Sequence, residues 1–315
     1  MTVRFGVPQG SILGPMLFNL YVSDLQDHLP STVSTYQYAD DTSLYSSCRP
    51  AEIQETAKDL NSTLNTVSSW SAESHLALNP TKTKAMLIST PQMSRVHSLD
   101  RNRPNLTISN KTLEYIIISK LLGVNFQENL KWDEHINALC KSCFGTLRIL
   151  RKIKNFTDFK LRKHLAESLI LSKLSYCDTV FYPLPDFLLN RLQRVQYVAA
   201  SFVLGRYVRC KKEILNLGWL PLSELRDYSI LRSTFKALYS NTWPSYLKLQ
   251  TVKPARNLRS SVATRLMIPL TANTFQHSAA KLFNSLPADL RNCTNFNQFS
   301  AKCKHLLKER ALSSL

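Results

Sequence analysis

Apolar positions along this chain recur mostly at three- and four-residue steps, which predicts helices, with a few short stretches of strand character near the N-terminus. The first helix is expected over residues 14–26, opened by Gly14-Pro15 with Pro15 at the first helical position and Leu17, Leu20, Tyr21 and Leu25 on one face. Residues 35–45 are rich in Thr and Tyr and are interrupted by Ala39-Asp40-Asp41, a strand, tight turn and strand. A second helix follows Pro50 and runs to about Ser74, with Ile53, Ala57, Leu60, Leu64, Val67 and Trp70 in phase. Residues 85–89 and 116–126 read as single strands, so the stretch to residue 129 predicts a mixed α+β layer.

Beyond it the pattern turns helical. Residues 133–153 repeat Ile136, Leu139, Cys143, Leu147 and Leu150; a helix capped by Thr157 turns Leu161, Leu165, Leu169 and Leu174 inward; residues 187–204 supply Leu188, Leu192, Val195, Ala199 and Phe202 before Gly205. Three antiparallel helices could bury these stripes together. Further helices are expected over residues 222–239, 275–284 and 296–310, with 251–273 as an irregular linker. The domains expected are thus 1–129, 130–205 and 206–315.

Composition narrows the classes. The 315 residues are 44% hydrophobic, enough for a packed core, and no G-x-G-x-x-G or G-x-x-x-x-G-K-[ST] is present, so dinucleotide-binding and P-loop readings have no support. No run of about 18 apolar residues occurs, and the first six residues lack the apolar core of a signal peptide. The chain is therefore expected to be soluble, free of the membrane, and intracellular, nuclear or cytoplasmic. Seven scattered cysteines, an odd number, are expected to stay reduced. Cys140-x-x-Cys143 with His135 nearby suggests zinc, but position 143 lies on an apolar helical stripe, which favours buried thiols. Gly6, Gly10 and Gly14 imitate a membrane-helix contact motif without the apolar 20-mer it requires.

Charge is uneven. Residues 1–100 hold 6 basic and 9 acidic side chains, leaving 34 basic and 13 acidic for the rest. Between Lys141 and Lys173 nine basic residues face two acidic ones, and from Tyr228 to Ala288 there is no acidic residue. A polyanion is the natural partner, against the plainer reading that basic charge only maintains solubility. Arg148, Arg151, Lys152 and Arg162 fall outside the apolar stripes and are the expected contacts to a nucleic-acid backbone, with Arg191 to Lys212 extending the basic surface.

Tyr38-Ala39-Asp40-Asp41 is the sharpest local feature. Adjacent side chains on a regular strand point to opposite faces, so neighbouring aspartates approach one cation cluster only when a tight turn presents them together. Their hard oxygens suit Mg²⁺, although by itself an Asp-Asp pair is most often an ordinary turn.

Together with Gly6-Val7-Pro8-Gln9-Gly10-Ser11-Ile12-Leu13-Gly14-Pro15, this hairpin resembles the reverse transcriptases of non-LTR (LINE-type) retrotransposons. His75-Leu76-Ala77-Leu78-Asn79-Pro80-Thr81-Lys82-Thr83 is similar to the following palm motif, Leu121-Leu122-Gly123-Val124 to the primer-grip strand, and Leu130-Lys131-Trp132-Asp133-Glu134-His135-Ile136 to the entry of the thumb. Leu217-Gly218-Trp219-Leu220-Pro221, Trp243-Pro244-Ser245-Tyr246-Leu247 and Phe283-Asn284-Ser285-Leu286-Pro287 resemble the C-terminal region of the jockey and chicken-repeat branch. Members of that branch often carry Gly-x-Arg where this chain has Thr271-Ala272-Asn273-Thr274-Phe275.

The resemblance implies an α+β partial palm followed by a helical thumb and a mainly helical tail. It implies RNA-directed DNA polymerisation on an RNA template with a DNA primer, deoxynucleotides and two Mg²⁺ ions. Asp40 is then the first choice of metal ligand and Asp41 the second. Pro8, Gln9 and Gly10 would line the nucleotide and template side, Tyr38 and Ala39 would flank the primer terminus and sugar, and Lys82 would stabilise or protonate the leaving pyrophosphate, unless it is simply a solvated lysine. Leu122, Gly123 and Val124 would place the primer end, or serve as core. The family's first metal-binding aspartate and its fingers are expected upstream of Gly6. Asp40 and Asp41 alone are therefore expected to hold less than the full ion pair, and the 315 residues to extend no primer unaided. The alternative is a catalytically silent remnant that only binds nucleic acid.

Overall fold

The structure, a computed structural model, describes residues 6–7, 10–99, 101–252 and 264–313. It mixes helix and sheet, as expected, and divides into two compact units, residues 1–131 and 132–315.

In the first unit, α1 (Gly14–Tyr21) starts where Ser11 Oγ accepts the Gly14 amide at 3.0 Å, and Pro15 sits in its first turn. It is shorter than expected, because a 3₁₀ turn over Ser23–His28 follows it and resets the helical phase. The inward line is consequently half-buried Phe18 with buried Val22 and Leu25, while Leu17, Leu20 and Tyr21 of the expected inward face are exposed, Leu20 at 72%. Strands β1 (Ser34–Tyr38) and β2 (Asp41–Tyr45) form an antiparallel hairpin, as the Thr- and Tyr-rich residues 35–45 with their Ala39-Asp40-Asp41 turn predict. Then α2 (Ile53–Glu73) lies along the unit, and its buried Ala57, Leu64, Val67 and Trp70 follow the expected stripe. One side of α2 packs Val67 and Trp70 with Val22 and Leu25; farther along, Leu64 packs with Ala85, Ile108 and Leu113. Leu44 of β2 contacts both clusters and so fastens the hairpin to the core.

The remaining strands are short. β3 (Lys84–Ala85), after which comes the small helix α3 (Pro91–Val96), pairs in parallel with β6 (Glu114–Tyr115), and β4 (Thr107–Ile108) pairs with β5 (Lys111–Thr112). The strand expected over 85–89 is thus only its first residue and the one before it. The single strand expected over 116–126 is instead a hairpin, β7 (Ile118–Leu121) and β8 (Val124–Gln127), because Leu122 and Gly123 both take positive φ, 46° and 87°.

In the second unit, α4 (Asp133–Lys152) buries Ile136, Cys143, Leu147 and Leu150. The next helix, α5 (Phe159–Ala166), is capped by Asp158, whose Oδ1 accepts the Leu161 amide at 2.7 Å, not by Thr157. A π-helical turn over Glu167–Leu171 joins it to α6 (Ser172–Ser175) and rotates the register, so the inward residues are Ala166, Ile170 and Leu174, whereas Leu161 and Leu169 are exposed. α7 (Asp186–Leu204) buries Leu188, Leu192, Val195, Ala199 and Phe202 as expected and ends at Gly205, whose φ of 75° makes a left-handed cap. These stripes share one core. After α8 (Lys211–Asn216), a helix the periodicity does not reveal, α9 (Leu222–Tyr239), α10 (Phe275–Asn284), α11 (Ala288–Arg291) and α12 (Phe296–Ser313) enclose a second cluster around Phe235, Phe283 and Phe299. Of the expected linker, residues 253–263 lie outside the described residues; the rest carries a single bridge between Thr251 and Leu266.

Beside Phe181 of the first of these cores lies a buried polar group. Arg226 of α9, 2% exposed, donates from Nη2 to the carbonyls of Phe181 (2.6 Å) and Asp178 (3.1 Å) and lies 4.7 Å from the Phe181 ring. Burial pulls its guanidinium down to about 10, even with Asp178 and Asp227 nearby. His135 of α4 packs against Phe181 at 4.9 Å, and burial, with Arg226 close by, lowers its pKa. The thiol of Cys143 is fully buried and pushed up to about 11, and that of Cys140 is also raised by burial; both are core thiols, and among the described residues no three His, Cys, Asp or Glu side chains gather as metal ligands. Among those residues no helix is long and apolar enough to cross a membrane.

Candidate active site

The β1–β2 register pairs Ser34 with Tyr45, Thr35 with Leu44, Tyr36 with Ser43, Gln37 with Thr42 and Tyr38 with Asp41, leaving Ala39 and Asp40 as a two-residue turn. Such a turn needs a left-handed residue, and Ala39 takes that place at φ 52°. An L-residue with a Cβ pays roughly 1–2 kcal/mol there, strain of the kind that folds hold at working sites. Asp40 closes the turn and Asp41 starts β2, so both carboxylates stand exposed at the tip, with Tyr38 directly across from Asp41. The hairpin is held toward its base by Leu44 in the core and nearer its tip by Gln37 Nε2, which donates to the Val22 carbonyl at 3.4 Å.

Among the described residues neither carboxylate receives a hydrogen bond or an ion pair. Two adjacent anions without a cation repel one another, and the arrangement is relieved by a bound cation. Their chemistry fits a hard, oxygen-seeking divalent ion such as Mg²⁺, and Asp40 and Asp41 are the side chains that would hold it.

The other residues singled out by sequence are distributed over the unit. Pro8 and Gln9 lie outside the described residues. Gly10 has φ 81°, which explains the glycine, while the position of a Cβ would be open space. Lys82 sits in a turn organised by Asn79, whose side-chain oxygen accepts from the amides of Thr81 and Lys82, both at 3.2 Å, and from the Thr81 hydroxyl at 2.6 Å. Sequence reading passed over Asn79, although Asn-Pro-Thr is a legible turn signal. The Lys82 ammonium has no carboxylate partner among the described residues, and no hydrogen bond there joins it to the hairpin. Leu122 and Gly123 are exposed at the β7–β8 turn, and only Val124 of the three is buried, so the core reading holds for Val124 alone.

On the second unit Arg148, Arg151 and Lys152 are exposed along α4. Arg162 is half-buried and engaged within the unit: its Nε donates to the Asp158 carbonyl at 3.3 Å, and it lies beside Gly205, whose carbonyl accepts from Lys154 Nζ at 3.1 Å. Farther on, Arg206 and Lys211 are paired with Glu213 and Glu224, which reduces the free charge expected between residues 191 and 212.

Residues 2–126, which contain the hairpin and the segment leading into α1, match the family described as reverse transcriptase (RNA-dependent DNA polymerase). The chain is 27% identical over 227 residues to a retrovirus-related Pol polyprotein from the type-1 retrotransposable element R1 2 of Nasonia vitripennis, covering 69% of this chain and 54% of that protein. It is 28% identical over 159 residues to a probable RNA-directed DNA polymerase from transposon BS of Drosophila melanogaster, covering 49% and 17%. To the RNA-directed DNA polymerase of the mobile element jockey from the same fly it is 26% identical over 143 residues, covering 44% and 14%. The chain thus spans about half the length of the R1 relative and under a fifth of the other two. The motif order, the hairpin and these similarities support the resemblance to the LINE-type, non-LTR reverse transcriptases.

Proposed function

We propose that this chain provides the aspartate hairpin, the primer-side turn and the thumb of an RNA-directed DNA polymerase acting on an RNA template, a DNA primer and deoxynucleotides. Residues 1–129 are the partial palm, 130–205 the thumb and 206–315 a basic tail. The observation that carries the reading is the uncompensated carboxylate pair, Asp40 and Asp41, at the tip of a strained two-residue turn. Divalent cations bound there would supply the positive charge that nucleotidyl transfer needs at the reacting phosphate. The protein's own part is positioning. The turn places both carboxylates at the hairpin tip; Tyr38 and Ala39 flank the primer terminus; Pro8, Gln9 and Gly10 form the nucleotide and template side. Lys82 serves the leaving pyrophosphate, Leu122, Gly123 and Val124 set the primer end, and Arg148, Arg151, Lys152 and Arg162 follow the phosphate backbone.

The reading is tested by titrating the ¹⁵N-labelled chain with Mn²⁺ and following its amide resonances. Line broadening is expected first at residues 38–42, and Asp40→Asn with Asp41→Asn abolishes it there. Broadening centred elsewhere, or unchanged by the double substitution, would overturn the assignment.

A further inference from the structure

Tyr228, Arg232 and Lys236 follow one another at four-residue steps on one face of α9, and Phe296 and Lys304 share a face of α12 at twice that step. The two helices pack together, and their stripes meet. The Arg232 guanidinium lies 5.5 Å from the Tyr228 ring centre and 5.2 Å from that of Phe296, and the Lys236 ammonium lies 5.7 Å from Phe296. At the other end Tyr228 and Lys304 help line a cleft of about 350 Å³, walled also by Glu167, Leu171, Trp219 and Leu225.

Three properties restrict what can bind here. First, Arg232, Lys236 and Lys304 have no carboxylate partner among the described residues, and no acidic residue occurs from Tyr228 to Ala288. The rings hold the cations in place without neutralising them. Second, the one carboxylate in the cleft is already engaged: Glu167 accepts from Trp219 Nε1 at 2.7 Å and lies 3.9 Å from Lys163, so Lys304 sets the charge that faces a ligand. Third, the cleft is at the small end of ligand sites, with room for one flat group beside an aromatic side chain. Fixed cations in a row, next to an aromatic-walled slot, are the chemistry of single-strand recognition. A duplex keeps its bases paired and stacked, and offers nothing to fill such a slot.

We infer that the α9–α12 face binds single-stranded nucleic acid, seating one unpaired base in the cleft beside Tyr228 and Lys304 while Arg232 and Lys236 hold the adjoining phosphates. This gives the basic tail a partner, and it rests on the proposed function only for the reason such a strand would be at hand.

The test is anisotropy of a labelled 12-nucleotide RNA, the same strand built from abasic residues, and an RNA–DNA hybrid, each titrated with the full chain at several salt concentrations. The folded wild type is expected to bind the base-bearing strand about 10-fold more tightly than the abasic one. Tyr228→Leu removes that preference and leaves abasic binding within about 2-fold; Lys304→Gln, at an exposed position, repeats the test should Tyr228→Leu fail to fold. Arg232→Glu with Lys236→Glu weakens both strands and flattens the salt slope by about 1.4, two phosphates' worth for a single strand. Equal affinity of the folded wild type for base-bearing and abasic strands overturns the inference, as does a base preference that survives Lys304→Gln. Loss of hybrid binding alone, with the base preference intact, would count against the polymerase reading and leave this site standing.

Discussion

Arg226→Met probes the buried polar group against Phe181 in the second unit. The substitution removes two hydrogen bonds from a charged donor, at 2.6 and 3.1 Å, each contributing about 1.5–3 kcal/mol, and a cation–π contact at 4.7 Å contributing about 1–2 kcal/mol. Against this, Arg226 Nη1 is buried with no hydrogen-bond partner among the described residues, and its removal recovers about 1–3 kcal/mol. The net loss is about 3 kcal/mol, which for a unit of this size lowers Tm by about 6–12 °C. Its pH dependence follows from Asp178 and Asp227. Burial raises both carboxyls above their usual range, and Arg226 partly offsets this. A carboxyl raised in the folded state destabilises when ionised, and that penalty fades as pH falls through its folded pKa. Without Arg226 the penalty grows, so the variant's deficit should be largest at neutral pH and shrink toward about pH 4. Thermal unfolding followed by near-ultraviolet circular dichroism from pH 4 to 7 reads both effects. A Tm change under about 2 °C, or a deficit that grows on acidification, would refute the reasoning.

Three further outcomes are expected. His135, its folded pKa lowered by burial, contributes stability that is complete above its unfolded pKa of about 6.5 and is lost as pH falls through the folded value; His135→Phe should therefore reduce the acid sensitivity of unfolding below that pH, measured by urea midpoints, and leave it unchanged above. Ala39→Gly relieves a φ of 52° at a small entropic cost, so hydrogen-exchange protection of the β1–β2 amides should rise, and a fall would show that the turn is unstrained. Arg148→Glu, Arg151→Glu and Lys152→Glu together should flatten the logarithmic salt slope for an RNA–DNA hybrid by about 3 and keep the melting temperature, whereas Arg162→Glu should lower it, since that side chain holds the Asp158 carbonyl; an unchanged slope would remove α4 from the interface.

The parts of the fold legible in the sequence are those whose local chemistry and tertiary fate agree. Residues 35–45 are rich in Thr and Tyr and carry turn residues at the middle, and α7, α9 and α10 have uninterrupted stripes with clear ends, Gly205 among them. Where a local irregularity shifts the phase, periodicity fails. The 3₁₀ turn after Tyr21 moves burial from Leu17 and Leu20 to Phe18 and Val22, and the π-helical turn after Ala166 moves it from Leu169 to Ile170. The β7–β8 turn was hidden because Leu122, an apolar residue, takes a positive φ that its side chain disfavours. For the candidate site, Asp40 and Asp41 could be read because they are neighbours in the chain. The cleft of Trp219, Tyr228 and Lys304 could not, because Lys304 joins it only through the packing of α12 on α9.

The central claim is that Asp40 and Asp41 act at the reacting phosphate. Its most direct test joins the fingers and upstream palm of an active relative to this chain before Gly6 and measures single-turnover primer extension on an RNA template, with and without Asp40→Asn. The account predicts that the substitution slows extension by about 10³-fold or more and leaves the template Kd within about 2-fold, the mark of a group that works only in the transition state. Equal losses in rate and template affinity would make the hairpin a structural element and contradict it.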